Sequence, residues 1–160
     1  MKTLFLDFDG VLHTASEAHA TPFSRLHMLH RAVIGKPVQI VISSSWRFHY
    51  SWREIKAHMG ILAPHLVGTT GPAVPEKYAR YQEILAFAEL HGISDDWRAL
   101  DDADYEFPEH EPRLVLCDPA FGLQKAQVQV LEEWINDRIG SVRMGPRLSL
   151  TSRNYELRVE

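Results

Sequence analysis

The chain has 160 residues, a formal net charge of −4 and 45% hydrophobic residues. This length and apolar content predict one domain with a sizeable core, and the mild acidity gives no global sign of a nucleic-acid or membrane-surface binder. A single cysteine, Cys117, excludes an internal disulfide framework, and its apolar neighbours favour a core position. The nine histidines show no zinc-binding spacing. Without a signal-peptide pattern or a run of about 20 apolar residues, we expect a cytoplasmic protein with no membrane partner.

Strand and helix patterns alternate along the chain. Short apolar runs predict five buried strands, over residues 3–8, 38–42, 65–69, 97–100 and 113–117. Apolar residues at helical spacing predict four helices, over residues 22–34, 51–59, 76–91 and 124–139. In the first helix, Thr21 is the expected N-cap and Pro22 the first residue. The alternation predicts a three-layer α/β/α sandwich with a parallel, Rossmann-like sheet of about five strands.

The alternation of strand and helix patterns is clear as far as the fourth predicted helix and is weaker in the residues that follow it. We expect residues 1–140 to form the core and residues 141–160 to form a C-terminal tail or an edge strand of the same domain. The last segment carries four arginines, Arg143, Arg147, Arg153 and Arg158. They could bind phosphate, but a solvated segment whose charges protect a sheet edge is the favoured interpretation.

Two carboxylates stand at the end of the first predicted strand, where charge is costly unless a cation or a reaction requires it. They are Asp7 and Asp9, and Gly10 follows with the backbone freedom for a turn. A carboxylate can attack phosphorus and leave again, so Asp7 is a candidate nucleophile and metal ligand. Asp9 could protonate the leaving alcohol and then activate water. The alternative is a strand that ends in a solvated acidic turn.

Two further polar clusters close predicted strands. Ser43, Ser44 and Ser45 follow the second strand, and Asp101 and Asp102 follow the fourth. The carboxyl ends of parallel strands meet at one edge of the sheet, so these clusters are expected to lie near the first. A serine hydroxyl and loop N–H groups can hold phosphate oxygens. Two adjacent acids can hold Mg²⁺, one directly and one through water, and Asp101 is the favoured direct ligand.

The order Asp-x-Asp, Ser, basic residue, Asp-Asp resembles the haloacid dehalogenase (HAD) superfamily of phosphatases and phosphotransferases. Within that superfamily the chain resembles the HAD domain of Swiss Army Knife RNA-repair proteins, whose members are inferred phosphatases. The segments that carry this resemblance are residues 5–12, 43–47, 80–84, 100–102, 118–119 and 122–123. It implies a Mg²⁺-dependent phosphatase that forms an aspartyl-phosphate on Asp7. It also implies that Asp9 is the general acid and base and that its backbone carbonyl binds the metal beside Asp7, Asp101 and Asp102.

The resemblance also suggests which residues bind the phosphate. In relatives with this pattern the hydroxyl residue precedes the tryptophan by two, which favours Ser44, whereas the strand end alone favours Ser43. Arg80 begins the segment Arg-x-x-Glu-Ile, which is similar to a signature of one HAD subgroup. Lys77, one helical turn earlier, is the alternative cation.

The spacing of the clusters leaves no room for a cap domain. Helices, loops and one short strand use most of the chain between Asp9 and Ser43 and between Ser44 and Arg80. The site should therefore be open to water and to a bulky phosphorylated substrate, such as a nucleic-acid phosphate end.

Trp46 and Arg47, and then Arg53, are candidates for the rim of this open site. An indole can stack on a base, and a guanidinium can pair with phosphate. The alternative places Trp46 in the interior and pairs Arg47 with a neighbouring acid.

Two other functions stay open at this point. One is a nucleotidase or small-metabolite phosphatase that closes its site by dimerising. The other is an inactive module that binds phosphorylated ligands, although the intact Asp7, Asp9 and Asp101 argue against it.

Overall fold

A single parallel sheet organises the molecule, as the sequence predicts. The computed structural model describes residues 1–17 and 21–137. The sheet has the order β3-β2-β1-β4-β5, and every neighbouring pair is parallel. Its strands are Lys2–Leu6 (β1), Val38–Ile42 (β2), Leu66–Thr69 (β3), Trp97–Asp101 (β4) and Leu114–Leu116 (β5). The chain runs outward from β1 to β3 and then returns to β4 on the other side of β1, so the strand order reverses beside β1. In open α/β sheets this reversal creates the crevice that binds ligands.

Helices cover both faces of the sheet, which gives the expected three layers. They are Leu26–Val33 (α1), Trp52–Met59 (α2), Ala79–Leu90 (α3) and Lys125–Asn136 (α4). Buried residues of α1, α2 and α4 pack on the face that presents Leu4 and Leu6 of β1, whereas α3 packs on the face that presents Phe5. The alternation of side chains along β1 thus supplies both cores.

The first helix begins later than the sequence predicts. It starts at Leu26 with Arg25 as N-cap, so the assignment of Thr21 as N-cap and Pro22 as first residue is wrong. The cause is Phe23, whose φ of +62° is incompatible with a helix and whose ring is buried. Tertiary packing of this one ring overrides the local start signal.

The other boundaries agree with the predictions to within a few residues. The third predicted helix starts at Ala79 because Tyr78 takes a left-handed conformation with φ of +58°. The predicted tail or edge strand, residues 141–160, lies outside the described residues. Within the described ranges no second folded unit is inserted into the sandwich, and no helix is long and apolar enough to cross a membrane.

Candidate active site

Three adjacent strands bring the predicted site residues to one edge of the sheet. Asp7 follows β1, Ser43 and Ser44 follow β2, and Asp101 ends β4. The parallel ladders continue past the strand ends, since the Asp7 N–H donates to the Leu100 carbonyl at 3.0 Å and the Ser43 N–H to that of Leu6 at 3.0 Å. The positions of these side chains are therefore fixed by the central strands of the fold.

Three carboxylates converge there. Asp7, Asp101 and Asp102 each offer an oxygen, and these oxygens lie within 4.8 Å of one another. Burial, followed by the charge of Asp7, raises the pKa of Asp102 to about 6 and raises that of Asp101 as well. Like charges at this spacing disfavour one another's ionisation, and a cation would relieve that cost. The donor set contains only carboxylate oxygens, which are the ligands that Mg²⁺ prefers.

The protein contacts of the two β4 acids differ. Both oxygens of Asp101 accept hydrogen bonds from the protein, Oδ2 from Arg80 at 2.8 Å and Oδ1 from the Ala103 N–H at 3.0 Å. The Asp102 carboxylate instead lies directly against Gly10, where a Cβ atom would overlap it. Each Asp101 oxygen keeps a second lone pair, so Asp101 stays a candidate for the direct ligand and Asp102 is a candidate beside it.

Arg80 supplies the positive charge of the cluster. From the first turn of α3 its Nη1 reaches Asp7 Oδ1 at 3.2 Å and Asp101 Oδ2 at 2.8 Å. Burial opposes its charge, but the carboxylates of Asp101 and Asp7 outweigh burial and raise the pKa of Arg80. Lys77, the alternative cation, is exposed, and its Nζ lies 4.6 Å from the centre of the Tyr78 ring. Arg80 is thus the candidate that the structure brings to the carboxylates.

The two candidate serines are both buried but differ in their hydrogen bonds. Ser44 Oγ accepts from the Trp46 N–H at 3.3 Å and caps the short 3₁₀ turn Ser45–Phe48. Ser43 Oγ is buried and makes no hydrogen bond within the described residues. A buried hydroxyl without a partner is costly, so Ser43 has the stronger need of an incoming acceptor. Both serines stay candidates for binding phosphate.

Arg47 does not line the rim of the site. Its Nη2 pairs with Glu83 Oε2 at 2.6 Å, and both side chains are about 5% exposed or less. Its Nε donates to the Gly71 carbonyl, and Nη1 to the carbonyls of Ser43 and Ser44. Arg47 therefore ties the end of β2 to α3, as the alternative interpretation proposed. Arg53 is exposed on α2.

The subgroup signature at the start of α3 now has a physical explanation. Arg80 points to the carboxylates, Glu83 holds Arg47, and Ile84 is fully buried beneath the sheet. The sequence singled out Arg80 but gave no role to Glu83. Glu83 lies one helical turn after Arg80, and a second arginine, Arg47, lies in the turn after β2. A buried acid beside the site would need such a cation, but the sequence does not show that the two residues meet.

Asp9 stands apart from the three clustered acids, with a side chain that is 49% exposed. His13 Nε2 lies 2.7 Å from its Oδ1, and Trp46 Nε1 donates to its Oδ2 at 3.0 Å. Trp46 is half-buried and stacks on Tyr50, with ring centres 4.7 Å apart. Sequence reasoning missed His13, because residues 9–13 form no helix and only the fold of the turn brings His13 to Asp9.

A neighbouring loop supports the turn that carries Asp9. Gly122 lies so close to the Val11 carbonyl that a Cβ atom would be 2.9 Å from its oxygen, and the Leu123 N–H donates to that oxygen at 2.7 Å. Cys117 precedes this loop and is buried. Burial, and then the charges of Asp102 and Asp101, raise its thiol pKa to about 12, which agrees with a core role rather than a nucleophilic one.

Comparison with known proteins adds one finding. The sequence model of the HAD domain in Swiss Army Knife RNA repair proteins matches residues 3–128. No curated protein and no solved structure matches the chain. The matched range contains the carboxyl ends of all five strands and the start of α3. Because this match spans most of the chain and every residue of the carboxylate cluster, the chain belongs to the HAD domain family of Swiss Army Knife RNA repair proteins.

Proposed function

We propose that this domain is a Mg²⁺-dependent phosphomonoester hydrolase that acts through an aspartyl-phosphate on Asp7. The observation that carries the proposal is the placement of Asp7 at the end of β1. There its carboxylate meets two further acids and Arg80, at the point where the strand order reverses. Family membership supports a phosphatase-like activity of the HAD type.

The reaction needs two displacements at phosphorus. In the first, a carboxylate oxygen of Asp7 forms a bond to phosphorus while the bond to the leaving oxygen breaks, and Asp9 gives that oxygen a proton. In the second, water attacks the phospho-enzyme, Asp9 takes a proton from the water, and the Asp7–phosphorus bond breaks. Arg80 and the serine at the end of β2 hold the other phosphate oxygens. The half-exposed Asp9 carboxylate suits both transfers, since substrate and water reach it from solvent.

The carboxylate cluster would hold the metal. Asp7, Asp102 or Asp101, and the Asp9 backbone carbonyl are the proposed ligands. When bound, Mg²⁺ supplies positive charge that offsets the repulsion between the phosphate dianion and the attacking carboxylate.

The finer proposal is that the phosphate stands at the end of a nucleic acid. The family is that of HAD domains in RNA repair proteins, and the described residues include no cap over the site. Phe48, Tyr50 and Trp52, which follow Ser44 along the chain, are exposed. Tyr50 stacks on Trp46, which in turn contacts Asp9, so an aromatic surface continues outward from the site. Aromatic side chains of this kind are platforms for bases.

Hydrolysis of p-nitrophenyl phosphate, with and without chelator, tests the basic proposal. We expect Mg²⁺-dependent turnover in the native protein and none in Asp7→Asn, with unchanged circular dichroism. Asp95→Asn is the matched control, because it removes the same charge from an exposed acid near the opposite end of β4. An acid-quenched reaction should yield phosphate bound to the native protein and none bound to Asp7→Asn. Near-normal turnover by Asp7→Asn would reject the mechanism.

A further inference from the structure

Asp9 is the residue that we propose transfers protons, yet its side chain is not part of the cluster formed by Asp7, Asp101 and Asp102. The structure instead gives each of its oxygens one donor, Nε2 of His13 at 2.7 Å and Nε1 of Trp46 at 3.0 Å. A half-exposed aspartate without such donors would sample several rotamers. We propose that His13 and Trp46 are positioning residues that fix the Asp9 carboxylate for proton transfer. This proposal rests on the proposed function.

The backbone of Phe23 sets the tautomer of His13. The Phe23 N–H donates to His13 Nδ1 at 3.2 Å, so Nδ1 carries the lone pair and Nε2 carries the hydrogen. In this tautomer the nitrogen that faces Asp9 is a donor, so His13 donates to the Asp9 carboxylate and cannot accept from it. Phe23 has a φ of +62°, a conformation that is strained for a bulky residue. Strain of this kind persists only where the surroundings enforce it, and it collects at functional sites.

Packing fixes both donor rings. His13 is fully buried, and its ring centre lies 5.5 Å from that of Phe23 and 5.8 Å from that of Trp46. Trp46 also packs edge-on against Phe8 and Phe23 and stacks on Tyr50. Neither donor can turn away without disturbing this cluster. The two hydrogen bonds are thus organised before substrate arrives, which is what precise proton transfer requires.

The arrangement leaves Asp9 free to exchange protons. Each carboxylate oxygen has two lone pairs, and one donor occupies only one of them. A free lone pair can carry the proton that passes to the leaving oxygen and is later recovered from water. His13 and Trp46 neither gain nor lose a proton in either step.

Leaving-group dependence provides the test. p-Nitrophenolate departs without a proton, whereas an alkoxide needs the general acid, so kcat/KM is compared for p-nitrophenyl phosphate and a simple alkyl phosphate. Trp46→Phe keeps a packed ring and removes the Nε1 donor. His13→Asn keeps a partner for the Phe23 N–H but cannot reach Asp9, whereas His13→Gln places an amide N–H near the position of Nε2.

We expect Trp46→Phe and His13→Asn to lower kcat/KM for the alkyl phosphate by about 10–100-fold, by analogy with the loss seen when the partners that orient a metal's ligands are removed. The loss for p-nitrophenyl phosphate should be much smaller, KM should change little, and His13→Gln should recover most of the alkyl phosphate activity. Equal losses for the two esters, or no difference between His13→Gln and His13→Asn, would mean that these residues only support the fold and would overturn the proposal.

A spectroscopic measurement separates this proposal from the proposed function. Long-range ¹H–¹⁵N correlation spectra of the native protein should show His13 with hydrogen on Nε2 and a bare Nδ1. Hydrogen on Nδ1 would overturn the positioning proposal, whatever the activity. If the spectra agree but the native protein hydrolyses neither ester, the proposed function fails, and the positioning proposal that rests on it falls for that separate reason.

Discussion

Gly10 ties the turn after β1 to the end of β4. Its φ is +71°, and an added Cβ atom would overlap Asp102 Oδ2. Gly10→Ala should therefore displace the proposed metal ligand in addition to straining the backbone. We expect it to abolish the rise in Tm that Mg²⁺ gives the native protein and to reduce phosphatase activity strongly.

Gly35→Ala is the matched control for this prediction. Gly35 has a φ of +68°, but no atom lies within 4 Å of its added Cβ. Both variants bear the left-handed penalty of about 1–2 kcal/mol, and only Gly10→Ala disturbs the acids. Thermal melts of both, with and without millimolar Mg²⁺, separate the two effects. A normal Mg²⁺ response in Gly10→Ala would remove Asp102 from the proposed site.

The Arg47–Glu83 pair should stabilise the fold rather than bind substrate. Its partners are almost completely buried, so loss of one leaves the other charge unpaired in the interior. Glu83→Ala should lower the free energy of unfolding by about 3–5 kcal/mol. The double variant Arg47→Met with Glu83→Leu should recover much of that loss, because well-packed apolar residues can replace a buried pair. Denaturant unfolding of the native, single and double variants measures the difference.

Activity measurements distinguish a structural role of Arg47 from a role in substrate binding. If the pair is structural, the double variant should fold with a KM close to that of the native protein. A large rise in KM in a well-folded double variant would return Arg47 to the substrate-binding residues.

At the scale of elements, the sequence was most informative where local patterns decide the outcome. The five strands and the polar residues at their ends were predictable, because apolar runs followed by charge stand out in the sequence. The start of α1 was not predictable, because the left-handed Phe23 depends on packing against Phe8 and Trp46. The partners of Arg47 and Asp9 escaped prediction for a similar reason. Glu83 is distant in sequence from Arg47, and only the fold of the turn brings His13 to Asp9.

The end of β4 should make the metal-free protein sensitive to pH. The pKa of Asp102 rises from 3.8 to about 6 on folding, so the folded state binds more protons than the unfolded chain between these values. The contribution of Asp102 to stability is therefore fully present below pH 3.8 and is lost as the pH rises through about 6. Asp101 shifts in the same direction. In chelator, Asp102→Asn should have a higher Tm than the native protein at pH 8, and this gain should shrink towards pH 4.

Mg²⁺ should make the Tm of the native protein at pH 8 higher than that of Asp102→Asn, because metal binding requires the deprotonated acids. The native Tm should rise with Mg²⁺ more at pH 8 than at pH 5, and Asp102→Asn should respond weakly at both. Asp104→Asn, which removes an exposed acid two residues later, is the control and should behave like the native protein. A Mg²⁺ response that is independent of pH would argue against ligation by groups with raised pKa values.

At the scale of the whole molecule, the sheet gathers the site at an edge that no described segment covers. The surface beside it combines the exposed aromatic residues Tyr50 and Trp52 with the exposed cations Arg53 and Lys56 of α2. Such a surface suits a strand of nucleic acid whose bases stack and whose phosphates meet positive charge. A small sugar phosphate would gain nothing from these contacts.

Phosphorylated oligonucleotides should accordingly be hydrolysed with a higher kcat/KM than mononucleotides with the same terminal phosphate. The preference should grow over the first few nucleotides and shrink at high salt, since added phosphate contacts depend on counterion release. Tyr50→Ala and Trp52→Ala should reduce the preference while leaving turnover of p-nitrophenyl phosphate nearly unchanged. Leu90→Ala is the control, because it removes another exposed apolar side chain about 15 Å along α3 from Arg80. Equal turnover of sugar phosphates and oligonucleotides at all salt concentrations would reject the nucleic-acid substrate and leave the phosphatase mechanism standing.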